Sequence, residues 1–84
     1  MEKPVGRIVH FYPKISVAIV ELIDELRKGD KIVIKGKKTN IEQTVESMQI
    51  EHKPIEVANA GDTIGLQVID RVREGDEIFK VIEE

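Results

Sequence analysis

The residues best suited to binding chemistry in this sequence are four basic side chains. Lys35, Lys37 and Lys38 lie within four consecutive positions, and Arg7 belongs to an earlier segment that folding can bring close. Ammonium and guanidinium groups that neutralise phosphates release condensed counterions, so their affinity falls steeply with salt. We therefore predict that Arg7, Lys35, Lys37 and Lys38 contact the phosphate backbone of a nucleic acid.

A solvated loop with charged strand edges is the competing interpretation of this patch. Phe11 and Tyr12 could stack on bases beside the basic residues. Aromatic residues, however, make up only 4% of the chain, and its formal net charge of −3 does not attract polyanions. Charged side chains also protect exposed strand edges from pairing with other chains. These observations favour the solvated loop, and nucleic-acid contact is the functional hypothesis set against it.

Nucleophilic and metal chemistry have little support in the sequence. The chain has no cysteine, which excludes disulfides, thiolate metal sites and cysteine nucleophiles. Ser16 and Ser47 have no neighbouring pattern of a histidine with an acid, and the two histidines, His10 and His52, are far apart in the chain. We predict a protein that is not an enzyme and that uses no metal or cofactor.

Length and composition predict one small domain. The 84 residues suffice for a single domain, 1–84, with a modest core over residues 5–82. Apolar runs are short, and the amino terminus does not have the pattern of a signal peptide, so we predict a cytoplasmic chain without a membrane span. The charged content of 35% is typical of proteins from thermophiles.

Three Gly-Asp pairs are predicted to organise the fold. Each aspartate stands two positions before an isoleucine that begins an alternating stretch. Glycine adopts a positive φ where a chain reverses, and aspartate can fold its carboxylate back onto a backbone N–H. A further glycine inside the second stretch suits a bulge or the close approach of another backbone. The predicted structural residues are Gly29, Asp30, Gly61, Asp62, Gly65, Gly75 and Asp76.

Alternating apolar and polar residues predict β-strands along the whole chain. The first strand is expected to place Val5 and Val9 on the same face. A phase change predicts a bulge near Glu46–Met48. A helix over Val17–Leu26 is the rival of the second strand, but β-branched residues favour the strand. The predicted strands are Val5–Phe11, Ile15–Ile23, Lys31–Lys35, Ile41–Ile50, Ile55–Val57, Ile64–Ile69 and Glu77–Ile82.

The order of these features resembles a known family over about residues 5–82. The segments that carry the resemblance are Val5–Gly6, Lys28–Asp30, Ile32–Gly36, Thr44–Met48, Ala60–Leu66 and Glu74–Asp76. Together they resemble the second domain of elongation factor Tu and related translational GTPases. The chain is also similar to the C-terminal accessory barrel of the collagenase-like peptidase family.

The resemblance implies an all-β fold: a small, closed, mostly antiparallel β-barrel of about six strands. It also implies a stand-alone, translation-associated binding module that contacts tRNA or the ribosome. No Gly-x-x-x-x-Gly-Lys-Ser/Thr stretch occurs in these residues, so GTP binding is not expected. The alternative function is a protein-protein adaptor that docks on a separately encoded enzyme or GTPase.

Overall fold

The computed structural model describes residues 1–82, and within that range the chain is all-β, antiparallel and free of helices. The predicted all-β, antiparallel class is therefore confirmed. No helix that could cross a membrane is found among these residues. The strands are β1 Glu2–Tyr12, β2 Val17–Leu22, β3 Leu26–Arg27, β4 Lys31–Lys35, β5 Asn40–Thr44, β6 Met48–Ile50, β7 Lys53–Ile55, β8 Val57–Ala58, β9 Thr63–Gln67 and β10 Glu77–Val81.

The hydrogen-bonded ladder among residues 1–82 does not close on itself. Eight strands form one sheet in the order β5-β4-β10-β1-β2-β9-β6-β7, and β3 pairs with β8. The prediction of a closed barrel of about six strands is therefore wrong in both closure and strand number. Part of the reason is Gln43 of β5, whose side-chain amide donates to the Gln67 carbonyl and accepts from the Ile69 N–H, both at 2.9 Å. A side chain here satisfies backbone groups that a continuous ladder would have paired.

The three Gly-Asp pairs form three turns of the same geometry. Their glycines have φ values of 96°, 91° and 91° in chain order. Each aspartate accepts a hydrogen bond from the backbone N–H three residues earlier, at 2.9, 2.9 and 2.8 Å. A side chain with a Cβ would be strained at such a φ, which explains the glycines. The pairs are Gly29–Asp30, Gly61–Asp62 and Gly75–Asp76.

Two irregularities in β1 change which of its residues face the core. The register shifts at Val5 against β10 and at Val9 against β2. Val5 and Ile8 are consequently both buried, whereas Val9 is 37% exposed. The prediction that Val5 and Val9 share a face is wrong, because each bulge adds a residue and reverses the alternation.

The segment predicted as one strand over Ile41–Ile50 is two strands in the structure. Val45 leaves β5 to bind the first turn: its N–H donates to the Asp30 carbonyl and its carbonyl accepts from the Gly29 N–H, both at 2.8 Å. The predicted bulge is therefore a break between β5 and β6. The predicted strand Ile55–Val57 is likewise divided between β7 and β8.

The core lies between the inward faces of the large sheet and the short β3–β8 pair. Leu26 of β3 has no exposed surface, as expected of a residue that fills one end of the core. Ile, Leu and Val dominate, and burial of such side chains supplies most of the folding free energy. The largest buried side chains include Ile8, Leu22, Leu26, Ile32, Ile34, Met48, Ile64, Leu66 and Ile78.

Candidate interaction surfaces

The outward side of β2 faces solvent, yet it is apolar at Val17 and Ile19 and carries a charge only at Glu21. Val17 and Ile19 alternate with the buried residues Ala18 and Val20, so they point away from the core. Strands of antiparallel sheets with one solvated face usually show polar residues there. A strand that is apolar on both sides is typical of one that is covered on both sides.

This apolar surface continues past the end of the β2–β9 ladder. The Val68 N–H donates to the Ser16 carbonyl at 2.9 Å, one step past the last ladder pair, and Ile15 and Ile69 are the next residues of the two segments. These two side chains are 61% and 68% exposed. On the other side of β2, Tyr12 pairs with Val17 and is 46% exposed. We call Tyr12, Ile15, Val17, Ile19 and Ile69 the apolar face.

Gly65, which has no side chain, leaves the apolar face uncovered beside Ile19. It pairs with Ile19 on one side and with Gln49 on the other, and the β2–β9 register is regular there, so no bulge lies at Gly65. A Cβ at this position would lie 3.1 Å from Cγ of Gln49 and 3.3 Å from Cγ1 of Val17. Side chains, rather than a backbone, make the close approach to Gly65.

Across the sheet, on the outward side of β4 and β10, neighbouring side chains cover the apolar residues. Val33 lies between Phe79 and Glu42 in the ladder and is only 6% exposed. Nζ of Lys35 stands 5.5 Å from the centre of the Phe79 ring, within cation–π range. Ion pairs join Lys35 to Glu2 at 2.6 Å and Lys31 to Glu42 at 2.8 Å. We call Glu2, Lys31, Val33, Lys35, Glu42 and Phe79 the ion-paired face.

The structure does not join the four predicted phosphate contacts into one basic patch. Arg7 pairs with Glu77, which in turn pairs with Lys35, so charges alternate along this row. Lys35 is in addition neutralised by Glu2. Lys37 and Lys38 lie apart in the β4–β5 loop. Contact of these four residues with phosphate stays a prediction.

Lys37 and Lys38 instead line a groove with two arginines that sequence reasoning missed. Lys37, Lys38, Arg73 and Glu74 surround one depression. An adjoining depression, which shares Arg73 and Glu74, is walled by Arg71 and by the apolar side chains of two β1-hairpin residues. We call the combined feature the cationic groove; it is lined by Phe11, Pro13, Lys37, Lys38, Arg71, Arg73, Glu74 and Asp76.

Both acidic residues of the cationic groove are engaged by the fold. The Asp76 carboxylate is 5% exposed, lies against Gly36 and accepts a bond from the Arg73 N–H. The Glu74 carboxylate is 3.0 Å from Nδ1 of His10. By contrast, no carboxylate of residues 1–82 forms an ion pair with the four groove cations. The groove therefore presents cations that have no ion-pair partner within residues 1–82.

The residues considered for catalysis are dispersed. His10 is held by Glu74, and His52 occupies the β6–β7 turn with a φ of 65°. No group of three or more His, Asp or Glu side chains within residues 1–82 could hold a metal ion.

One carboxylate has a clearly displaced pKa. A hydrogen bond from the Lys3 side chain, 2.6 Å away, lowers the pKa of Asp24, and the Glu25 backbone N–H adds to the effect. Both interactions favour the charged form. The Asp24 side chain is 33% exposed, so the shift reflects an ion pair at the surface rather than a buried site.

Comparison with known proteins relates the chain to peptidases. It is 47% identical over 76 residues to an uncharacterized protease of Methanocaldococcus jannaschii, and 35% identical over 78 residues to a collagenase of Porphyromonas gingivalis. These alignments cover 89% and 90% of this chain but 19% and 22% of the relatives. The chain thus spans about a fifth of the length of these relatives. No protein-family model matches it.

The fold is that of solved C-terminal domains. Two crystal structures of the C-terminal domain of a Geobacillus thermoleovorans protein assigned to the U32 peptidases superpose with TM-scores of 0.86 and 0.88. Sequence identity is 18% in both cases. The alignments cover 90% and 95% of this chain, and 96% and 93% of those chains.

These comparisons correct the predicted function. The relatives are a protease and collagenases rather than translation factors, so the prediction of a translation-associated, RNA-binding module is wrong. The resemblance to elongation factor Tu is not confirmed, whereas the similarity to the C-terminal domain of collagenase-like peptidases agrees with these comparisons. The chain's relatives in sequence are peptidases, and its relatives in fold are C-terminal domains assigned to the U32 peptidases.

Proposed function

We propose that this chain acts as a non-catalytic accessory domain that docks, through its apolar face, on the larger part of a U32-type peptidase. The observation that carries the proposal is the exposure of Ile15 and Ile69, which adjoin the Ser16–Val68 hydrogen bond at one end of that face. The partner is either joined to this domain in one polypeptide or encoded separately.

The apolar face has the chemistry of an interface centre. Interfaces are enriched in aromatic residues and depleted of charge at their core. Tyr12 supplies an aromatic ring, and Val17, Ile15 and Ile69 supply branched apolar surface without a charged side chain among them. Burying an exposed isoleucine fully contributes about 1.5–3 kcal/mol, so a few such residues stabilise docking.

The occupant is inferred from the relatives. In the M. jannaschii protease, the matching segment makes up 19% of the polypeptide, so most of that protein lies outside the segment. A segment that is part of a longer chain buries surface against its neighbours when their interface is apolar. The remainder of such a peptidase is therefore the proposed partner.

Hydroxyl-radical footprinting tests the proposal. The M. jannaschii protease is prepared with this chain in place of its matching segment, and side-chain oxidation is compared with that of the isolated chain. We expect oxidation of Tyr12, Ile15 and Ile69 to fall several-fold in the chimera. Ile23 and Val57, which are 63% and 43% exposed and lie outside the apolar face, serve as internal controls. Equal oxidation of Ile15 and Ile69 in both proteins would contradict the proposal.

A further inference from the structure

We infer that the cationic groove binds an acidic segment of a polypeptide, namely the substrate presented to the peptidase. This inference rests on the proposed function for the identity of the ligand. Binding itself is a property of this chain and can be measured on it alone.

The charge distribution is the first argument. Elsewhere on the surface, Lys3, Lys31 and Lys35 each have a carboxylate partner at 2.6–2.8 Å, whereas Lys28 and Lys53 form no ion pair within residues 1–82. In the groove, Lys37 and Arg73 form no ion pair with residues 1–82. The groove differs in bringing together four cations that form no ion pair with residues 1–82, and this clustering favours a ligand that brings its own carboxylates.

The position of the groove's own acids is the second argument. Asp76 is buried and accepts a hydrogen bond from the Arg73 N–H, so its carboxylate faces the backbone of the turn rather than the groove. Glu74 is held by His10 at 3.0 Å. The cationic side chains are therefore left as the groups available to a ligand.

Shape and apolar lining favour a peptide over a polyphosphate chain. Phe11 and Pro13 wall the depression next to Arg71, so the groove offers apolar contact beside positive charge. A peptide that carries carboxylate and apolar side chains satisfies both kinds of surface. A nucleic-acid backbone gains affinity from long stretches of cations, whereas here four cations line a short groove and the neighbouring row of Arg7, Glu77 and Lys35 alternates in charge.

The groove also gives a role to the Asp70–Asp76 connector, which does not belong to the apolar face. The Asp70–Asp76 connector runs beside the β4–β5 loop because the third Gly-Asp turn directs it there, with the Gly75 N–H bonded to the Ile8 carbonyl at 2.7 Å. The turn thereby brings Arg73 next to Lys37 and Lys38, far away in sequence.

Calorimetric titration of the 84-residue chain tests the inference. The probe is a synthetic peptide of alternating glutamate and phenylalanine, and its counterpart has every glutamate replaced by glutamine. At low salt we expect the acidic peptide to bind at least about tenfold more tightly, since each charge-assisted hydrogen bond contributes more than a neutral one. Equal affinities for the two peptides would overturn the inference.

A matched pair of variants locates the site. Lys37→Gln with Arg73→Gln should weaken binding of the acidic peptide by about tenfold. Lys28→Gln with Lys53→Gln removes the same charge outside the groove and should change affinity less than about twofold. Equal weakening by both pairs would show a general charge effect and reject the groove. Tighter binding of inorganic polyphosphate than of the peptide would reject the ligand class.

The outcome is separable from that of the docking proposal. If the chimera shows no protection of the apolar face but the peptide binds the groove, docking fails and groove binding stands. If protection is seen and the peptide does not bind, the reverse holds.

Discussion

The ion-paired face and the apolar face are outward surfaces of one sheet that treat apolar side chains in opposite ways. On the ion-paired face, Val33 is 6% exposed because Phe79, Lys35 and their neighbours cover it. On the apolar face, Ile15 and Ile69 are 61% and 68% exposed, with nothing comparable over them.

The difference shows which of the two surfaces is covered by the chain's own side chains. Lysine stems cover apolar surface while their charged ends stay in water, so the ion-paired face needs no partner. Contiguous exposed apolar residues, by contrast, mark interaction sites. Stability measurements on variants at matched positions of the two faces therefore test this contrast.

The largest expected effect is at the covered position. Val33→Lys places a charge beneath Phe79, opposite a Glu42 carboxylate that is already bound to Lys31, and we expect the free energy of unfolding to fall by about 3 kcal/mol. Urea denaturation measures this loss. The matched change Ile15→Lys on the apolar face should cost less than about 0.5 kcal/mol, because the side chain is already in solvent. Similar losses at the two positions would remove the distinction between the faces.

A second pair compares glycines beside the two faces. Gly36→Ala should destabilise by about 2 kcal/mol, because the new Cβ collides with the buried Asp76 carboxylate and disturbs its bond to the Arg73 N–H. Thermal unfolding followed by circular dichroism detects the loss. Gly65→Ala should cost less than about 1 kcal/mol, since the flexible Gln49 side chain can move aside. An unchanged melting temperature for Gly36→Ala would refute the account of that turn.

Each ion pair on the ion-paired face should contribute little to the free energy of unfolding. Glu2→Gln breaks the bond to Lys35, whose side chain is 50% exposed, and we expect a loss below about 1 kcal/mol. The loss should shrink further near 1 M salt, where charges are screened over about 3 Å. Chemical denaturation of both proteins with and without salt checks this, and a loss that is independent of salt would point to packing instead.

The smallest expected effect is acid sensitivity at Asp24. Its pKa is lowered in the folded state, so the stabilisation is present above its unfolded pKa and is lost as the pH falls through the folded pKa. Asp24→Asn should therefore narrow the difference in melting temperature between neutral pH and about pH 2. A variant with the same pH dependence as the parent protein would show that the Lys3 pair is not formed in solution.

Much of the local structure was predictable because it depends on near neighbours. The alternation over Lys31–Lys35 predicted β4 with its bounds, since one turn and one buried face define that strand. The apolar outward side of β2 was also visible in the pattern of Val17–Val20, although its meaning was not. Interactions within a few residues are encoded in composition and spacing.

The candidate surfaces were less predictable because they join distant segments. Arg71 and Arg73 were missed, and Arg7 and Lys35 were grouped without Glu77, which the β1–β10–β4 register places between them. The signal that could have found the groove is the third Gly-Asp turn beside two arginines. Which cations remain without partners depends on register, and register is a long-range property.

By itself, the sequence determined an all-β, antiparallel chain and the Gly-Asp pairs that turn it. It did so because strand alternation and turn chemistry act over a few residues. Only the tertiary structure decided that the ladder stays open beside Gln43, that β1 reverses its phase at Val9, and that Val68 is bonded to Ser16. Those outcomes depend on pairing between distant strands, whose energy no local stretch contains.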